Sequence, residues 1–215
     1  MKNCILALDT TSEFASLALR HSNETLAEIR LHSSDGFAQT IFQAITDILA
    51  KANLRLEQID CFAAASGPGS FTGVRVGLAA VKGLAEALGK LAVGISNLRA
   101  LSLFGTAPLR AVVLDARRGE VYGAVYDGAA RVVVAETVSP WAVWLATVPA
   151  DAELIGFAGG PCQTAGIAFT EAPRFLAAAV ARCAEIDGAA HWQDPLTLDA
   201  NYVRRSDAEL FWKEA

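Results

Sequence analysis

Histidine is too sparse in this sequence to build a metal centre. His21, His32 and His191 are the only three, and no two lie within one helical turn, whereas a metal site needs several ligands converging. Cysteine is equally uninformative as a framework. Cys4, Cys61, Cys162 and Cys183 form no CxxC pair and sit in apolar surroundings, so they read as small buried hydrophobes. Basic residues are in deficit: 18 Lys and Arg against 23 Asp and Glu leave a net charge of −5. Such a chain is a poor candidate for gripping a nucleic acid alone, because neutralising phosphates supplies most of that affinity, and any RNA role calls for a basic partner. Apolar runs are broken well before the length of about 20 residues that crosses a bilayer, and Met1-Lys2-Asn3-Cys4 leads into a strand-like run with no signal-peptide pattern. These absences predict a cytoplasmic protein with no metal, no cofactor and no membrane contact.

What is present is a globular composition, 53% hydrophobic and 19% charged over 215 residues, enough for one large domain or two of about 100 residues each. Cys4-Ile5-Leu6-Ala7-Leu8 reads as a buried strand that ends in the polar turn Asp9-Thr10-Thr11-Ser12 and returns as Phe14 to Leu19, a hairpin. Thr25 to Leu31 is a third strand. Ala38 to Asn53 is an amphipathic helix with Ile41, Ile45, Ile48, Leu49 and Ala52 on one face. A strand at Ile59 to Ala65, a second helix and a strand at Leu91 to Ile95 complete an α/β unit that begins antiparallel and becomes parallel.

The second half starts over. Ala111-Val112-Val113-Leu114-Asp115 resembles Ile5 to Asp9, and Val121 to Tyr126 resembles Ala15 to Leu19, the pattern of an internal duplication. A third strand at Arg131 to Glu136, a helix start at Pro140 to Leu145, a strand at Glu153 to Gly156 and an alanine-rich helix at Pro173 to Ile186 follow. Turn residues at Gly105-Thr106-Ala107-Pro108 place the boundary, giving lobes 1–106 and 107–205, with 206–215 expected to pack back on the first. An aspartate closing the first strand of each lobe suggests a cleft between them. In enzymes of this plan Asp9, Thr10, Thr11 and Asp115 would hold a metal-bound nucleotide; in a bare fold they are turn formers, the reading preferred for this chain.

The chain is organised around Ser66-Gly67-Pro68-Gly69-Ser70-Phe71-Thr72-Gly73 and a helix from Phe71 to Leu88. Glycines bracketing a proline force a sharp turn, and Ser70 or Thr72 can cap the new helix. A helix start can also hold an anion, so a phosphate loop is the alternative, but Val74 stands where a phosphate-binding lysine belongs and Thr72 where a dinucleotide loop has glycine. A structural elbow is the better reading. On the helical wheel Gly73, Gly77, Ala80, Leu84 and Ala87 share one face and Val74, Leu78, Val81, Ala85 and Leu88 the next. A helix on its own sheet needs one stripe, so the small-residue face, with Ile41 and Ile45 of the preceding helix beside it, is expected to meet a partner; a second helix of the same chain is the alternative occupant.

Taken together, Leu6-Ala7-Leu8-Asp9-Thr10-Thr11, Gly67-Pro68-Gly69-Ser70-Phe71-Thr72-Gly73-Val74-Arg75-Val76-Gly77, Asp115-Ala116-Arg117-Arg118-Gly119-Glu120-Val121-Tyr122 and Tyr202-Val203-Arg204-Arg205 closely resemble the bacterial TsaB (YeaZ) family. The resemblance implies an actin-like ATPase (ASKHA) fold of two duplicated ribonuclease-H-like lobes with mixed sheets. It implies a non-catalytic subunit required for threonylcarbamoyl transfer to adenosine 37 of tRNAs that read ANN codons. Its partners would be a TsaD-like catalytic subunit and a TsaE-like ATPase, with a homodimer when alone and tRNA met only through the complex. His32-Ser33-Ser34 resembles the start of the family's first long helix, although Asp35-Gly36-Phe37 departs from the usual continuation.

The residues bear on two other activities. An active Mg-ATP-dependent phosphotransferase or ATPase would place Asp9 and Asp115 at the metal and the elbow on phosphate, with the glycine-rich turn Ile155-Gly156-Phe157-Ala158-Gly159-Gly160 on adenosine. A glycoprotease finds no support: Ser70 lacks a GxSxG context and an assembled base and acid.

Overall fold

In a computed structural model of the chain, residues 3–204 are described. The expected tail at 206–215 and Arg205 lie outside the described residues. Ten strands and six α-helices follow one another: β1 (Cys4–Asp9), β2 (Phe14–His21), β3 (Glu24–His32), α1 (Ile41–Ala52), β4 (Cys61–Gly67), α2 (Phe71–Leu88), β5 (Leu91–Ser96), α3 (Asn97–Ser102), β6 (Leu109–Arg117), β7 (Glu120–Asp127), β8 (Val132–Pro140), α4 (Trp141–Leu145), β9 (Glu153–Gly156), α5 (Pro161–Thr164), β10 (Thr170–Glu171) and α6 (Ala177–Asp187).

The strands form two five-stranded mixed sheets, β3-β2-β1-β4-β5 and β8-β7-β6-β9-β10. In each, the first three strands are antiparallel neighbours and the last two run parallel to the first. The duplication expected from the two aspartate hairpins is thus carried by the whole topology of both sheets.

Among the described residues the chain divides into two compact units, 3–100 with 173–200, and 101–172 with 201–204. This differs from the expected division at 106/107, which assigned 173–200 to the second lobe. The reason lies in α6. Its Ala177, Val180, Ala181, Cys183 and Ala184 are buried, and their small volumes let the helix lie close on the first sheet. Arg99 grips Asp187 with two bonds of 2.6 Å, and Arg20 pairs with Glu185.

Every residue of β1 is buried. Leu6, Leu8, Leu17, Leu19, Phe62 and Ala64 pack in one core with α1 and α2, while the alternate residues face α6, so a near-continuous apolar run suits a strand covered on both sides. In the second unit Ala111, Val113, Val121, Val125, Trp144 and Cys162 form the core. Gly123 on β7 makes room for Trp144: a Cβ there would meet the indole at 2.0 Å.

α2 spans the residues expected, with the Ser70 hydroxyl accepting from the Gly73 N–H at 3.3 Å and Gly89 ending it in the left-handed region. α1 starts at Ile41, three residues later than expected, after a turn that buries Phe37.

Candidate functional site

The loop after β1 and the elbow before α2 are built into each other. The Ser70 N–H donates to the Thr11 carbonyl at 2.7 Å, and the Thr10 hydroxyl donates to the Gly73 carbonyl at 2.7 Å. The elbow glycines are needed for this approach. A Cβ on Gly69 would meet the Thr11 carbonyl at 2.6 Å, one on Gly73 the Thr10 carbonyl at 2.1 Å, and one on Gly77 the Thr10 hydroxyl at 2.7 Å. The chain's own threonines thus pack against the elbow and the first turns of α2.

Asp9 is 1% exposed. Its carboxylate accepts from the Thr11 N–H at 3.0 Å, from the Thr11 hydroxyl at 2.6 Å and from the Leu176 N–H. Asn97 donates to the Thr11 hydroxyl at 2.6 Å and accepts from the Gly67 N–H at 3.0 Å, so elbow, aspartate loop and α3 share one network. Leu176 precedes α6, and the next N–H, of Ala177, donates to the Ser16 hydroxyl at 3.0 Å. Asp9 and Ser16 therefore cap α6 from another part of the chain, with a carboxylate at the positive end of the helix. Burial pushes the Asp9 pKa up, against the pull of these bonds.

Most of the expected partner ridge lies inside the first unit. Gly73 and Gly77 face Thr10, Ala80 is 5% exposed and lies in the core with Ile41 and Ile45, and only Ala87 is exposed, with Leu84 half-buried. The wheel grouped these residues correctly, but the close neighbour is the chain's own aspartate loop. Solvent meets α2 at Phe71, Thr72, Arg75, Ala79, Gly83, Glu86 and Ala87. Beside that face Phe42, Ile45, Leu49, Leu54, Leu56 and Leu84 line an apolar groove of about 470 Å³. Phe42, outside the ridge expected from the sequence, is 56% exposed. Its signal was an aromatic side chain lying off the Ile41/Ile45/Ile48 stripe.

In the second unit Asp115 is exposed and accepts from the Arg117 N–H at 2.7 Å, closing a turn through Arg117, Arg118 and Gly119, all at positive φ. The Tyr202-Val203-Arg204 stretch straps this hairpin. Arg204 donates to the Ala116 carbonyl at 2.9 Å, pairs with Glu120 and lies over the Tyr122 ring, while Asn201 and Tyr126 each donate to Glu136 at 2.6 Å. Asp115, Trp141, Gly159, Gly160 and Pro161 border a cavity of about 410 Å³. His32 stacks on Phe14 at 4.8 Å, and His191 Nδ1 lies 2.7 Å from the Asp187 carbonyl. Among the described residues no three His, Cys, Asp or Glu converge as metal ligands, and no helix is long and apolar enough to cross a membrane.

Two mixed sheets of one topology, each opened by a hairpin whose first strand carries an aspartate at or near its end, define an actin-like ATPase fold. A solved structure titled as component A of the Acidaminococcus fermentans (R)-2-hydroxyglutaryl-CoA dehydratase shares that fold at a TM-score of 0.55 and 9% identity, over 87% of this chain and 99% of that one. Residues 25–186 match the family described as TsaD: tRNA N6-adenosine threonylcarbamoyltransferase. The solved YeaZ from Pseudomonas aeruginosa superposes with a TM-score of 0.78 at 27% identity, covering 93% of this chain and 99% of that one. The Haemophilus influenzae protein named tRNA threonylcarbamoyladenosine biosynthesis protein TsaB is 40% identical over 122 residues, 55% of this chain and 51% of its own length. The chain belongs to the TsaB (YeaZ) family. It spans about half the length of the first curated relatives it matches.

Proposed function

We propose that this chain is a non-catalytic subunit in the formation of threonylcarbamoyladenosine at position 37 of tRNAs that read ANN codons, scaffolding a TsaD-like catalytic subunit together with a TsaE-like ATPase in the cytoplasm. The observation that carries the reading is the enclosure of Asp9: a carboxylate that would serve a metal-bound nucleotide instead caps α6, while Thr10 and Thr11 close on the elbow. The names of the TsaB relatives supply the pathway. Asp9, Thr10 and Thr11 are on this reading the vestige of a nucleotide half-site, as is Asp115 in the second unit.

The partner surface is the groove beside Phe42, Ile45 and Leu84, continued along the solvent side of α2 to Ala87. Exposed apolar side chains around a concave floor suit an interface, and the same surface would pair two copies about a two-fold axis when the partner is absent. tRNA is met through the assembled complex.

Calorimetry with Mg-ATP, together with restoration of modified adenosine in a strain lacking its own TsaB, tests the role. No heat of binding and full restoration are expected. Micromolar Mg-ATP affinity lost in a folded Asp9→Ala protein would overturn the reading in favour of a nucleotide-binding protein of the same fold.

A further inference from the structure

We infer that the cavity of about 410 Å³ in the second unit receives a basic side chain, an arginine guanidinium presented by a partner peptide or protein. The inference goes beyond the proposed scaffold role and concerns a surface distinct from the α1–α2 groove.

The walls specify the chemistry. Several donors of the wall are used within it: the Gly159 N–H donates to Gln163 Oε1 at 2.5 Å, the Gly160 N–H to the Phe157 carbonyl at 3.0 Å, and the Thr164 hydroxyl and N–H each to the Gly160 carbonyl at 3.0 Å. The Trp141 N–H is likewise held by the Gly119 carbonyl at 3.3 Å. A phosphate entering the cavity would meet the carboxylate of Asp115. What remains unsatisfied is an acceptor. Asp115 binds Arg117 through the backbone N–H alone, and among the described residues its carboxylate has no ion pair and its second oxygen no hydrogen-bond partner. Glu120 is already neutralised by Arg204, so Asp115 is the group that draws a cation.

The rest of the lining suits the shape of an arginine. Trp141 borders the cavity with its indole braced by Trp144, the ring centroids 5.7 Å apart, and tryptophan is the side chain that best attracts a cation to its face. Val121, Pro161 and Ala165 offer apolar contact for the aliphatic stem, while the planar head presents donors to Asp115.

The experiment uses the full chain and follows the indole N–H signals in ¹H–¹⁵N spectra, with Trp141→Phe identifying the one signal that disappears. N-acetyl-arginine amide is titrated to tens of millimolar, against N-acetyl-citrulline amide, which has the same shape without the charge. The arginine probe should move the Trp141 signal, the citrulline probe should bind at least tenfold more weakly, and Asp115→Asn, which keeps an oxygen for the Arg117 N–H, should weaken the arginine probe by a similar factor. Raising salt should weaken it too. An unmoved Trp141 signal, equal response to both probes, or an undiminished response in a folded Asp115→Asn protein overturns the inference. So does Mg-ATP that displaces the arginine probe.

Discussion

The Thr10 carbonyl oxygen lies where a Cβ on Gly73 would come within 2.1 Å of it, and the Thr10 hydroxyl turns back to donate to the Gly73 carbonyl at 2.7 Å. Two segments 63 residues apart in the sequence thus meet backbone to backbone. That contact fixes which face of α2 is inside.

Gly73→Ala should therefore destabilise the first unit. Overpacking a closely fitted site costs about 1–3 kcal/mol, and here the obstacle is a backbone carbonyl, while alanine's better helix propensity returns about 1 kcal/mol. A net loss of up to about 2 kcal/mol is expected in urea denaturation. Gly77→Ala should lose less, because it meets a hydroxyl that can rotate. A Gly73→Ala protein as stable as the wild type would show that loop and elbow separate easily.

Removing the Asp9 carboxylate should weaken the protein without touching any ATP chemistry. Asp9→Ala leaves the buried N–H groups of Thr11 and Leu176 without their acceptor, at about 1–3 kcal/mol each. Urea midpoints measure the loss, and hydrogen exchange at the start of α6 should rise with it. Unchanged protection there would mean that Asp9 is not its cap.

The pH dependence has opposite signs at two carboxylates. Burial raises the folded pKa of Asp9, so above the ordinary carboxylate range the native state holds the proton more than the unfolded chain does, and this contribution to stability falls as pH rises. At Glu153 burial acts upward too, but the N–H groups of Ala107 and Thr106, the Thr170 hydroxyl and the charge of Arg110 outweigh it and lower the pKa. Its contribution is present above the ordinary range and lost as pH falls. Urea midpoints across pH 3 to 8 should become less sensitive on the alkaline side in Asp9→Asn and on the acid side in Glu153→Gln.

Ala80→Arg should unfold the first unit, since Ala80 lies in the core and an unpaired charge there has no water. Phe42→Glu combined with Ala87→Arg should leave the fold intact and abolish association, whether of two copies or with a catalytic subunit. A stable interface of this kind buries at least about 1,000 Å². Light scattering with circular dichroism as the folding control separates the cases; full assembly by the folded double variant would move the partner surface elsewhere.

Much of this architecture could be read from residues alone because the signals were local. Ile5 to Asp9 and Ala111 to Asp115 repeat the same apolar run and closing aspartate, and the sheets built on them share one strand order. The Phe71–Leu88 helix carried its own cap at Ser70 and its own stop at Gly89. The inward turn of Gly73 and Gly77 was not legible, because periodicity groups residues on a face without saying what lies against it, and a small face suits a close internal backbone as well as a foreign helix. The home of α6 was hidden for a related reason. Its alanines give no strong stripe, and the Ser16 hydroxyl that receives its Ala177 N–H is 161 residues away.

That distance bears on how the protein is made. The first sheet leaves the ribosome early, but the helix that covers one of its faces and satisfies Asp9 is synthesised only after the whole second sheet. Until then β1 and β2 carry an uncovered apolar face and a carboxylate without its helix, the condition in which a nascent chain is drawn to chaperones or to neighbouring chains. A fragment ending at residue 106 would be held permanently in that condition, and a gene cut at the apparent boundary between the halves would yield an N-terminal product that aggregates.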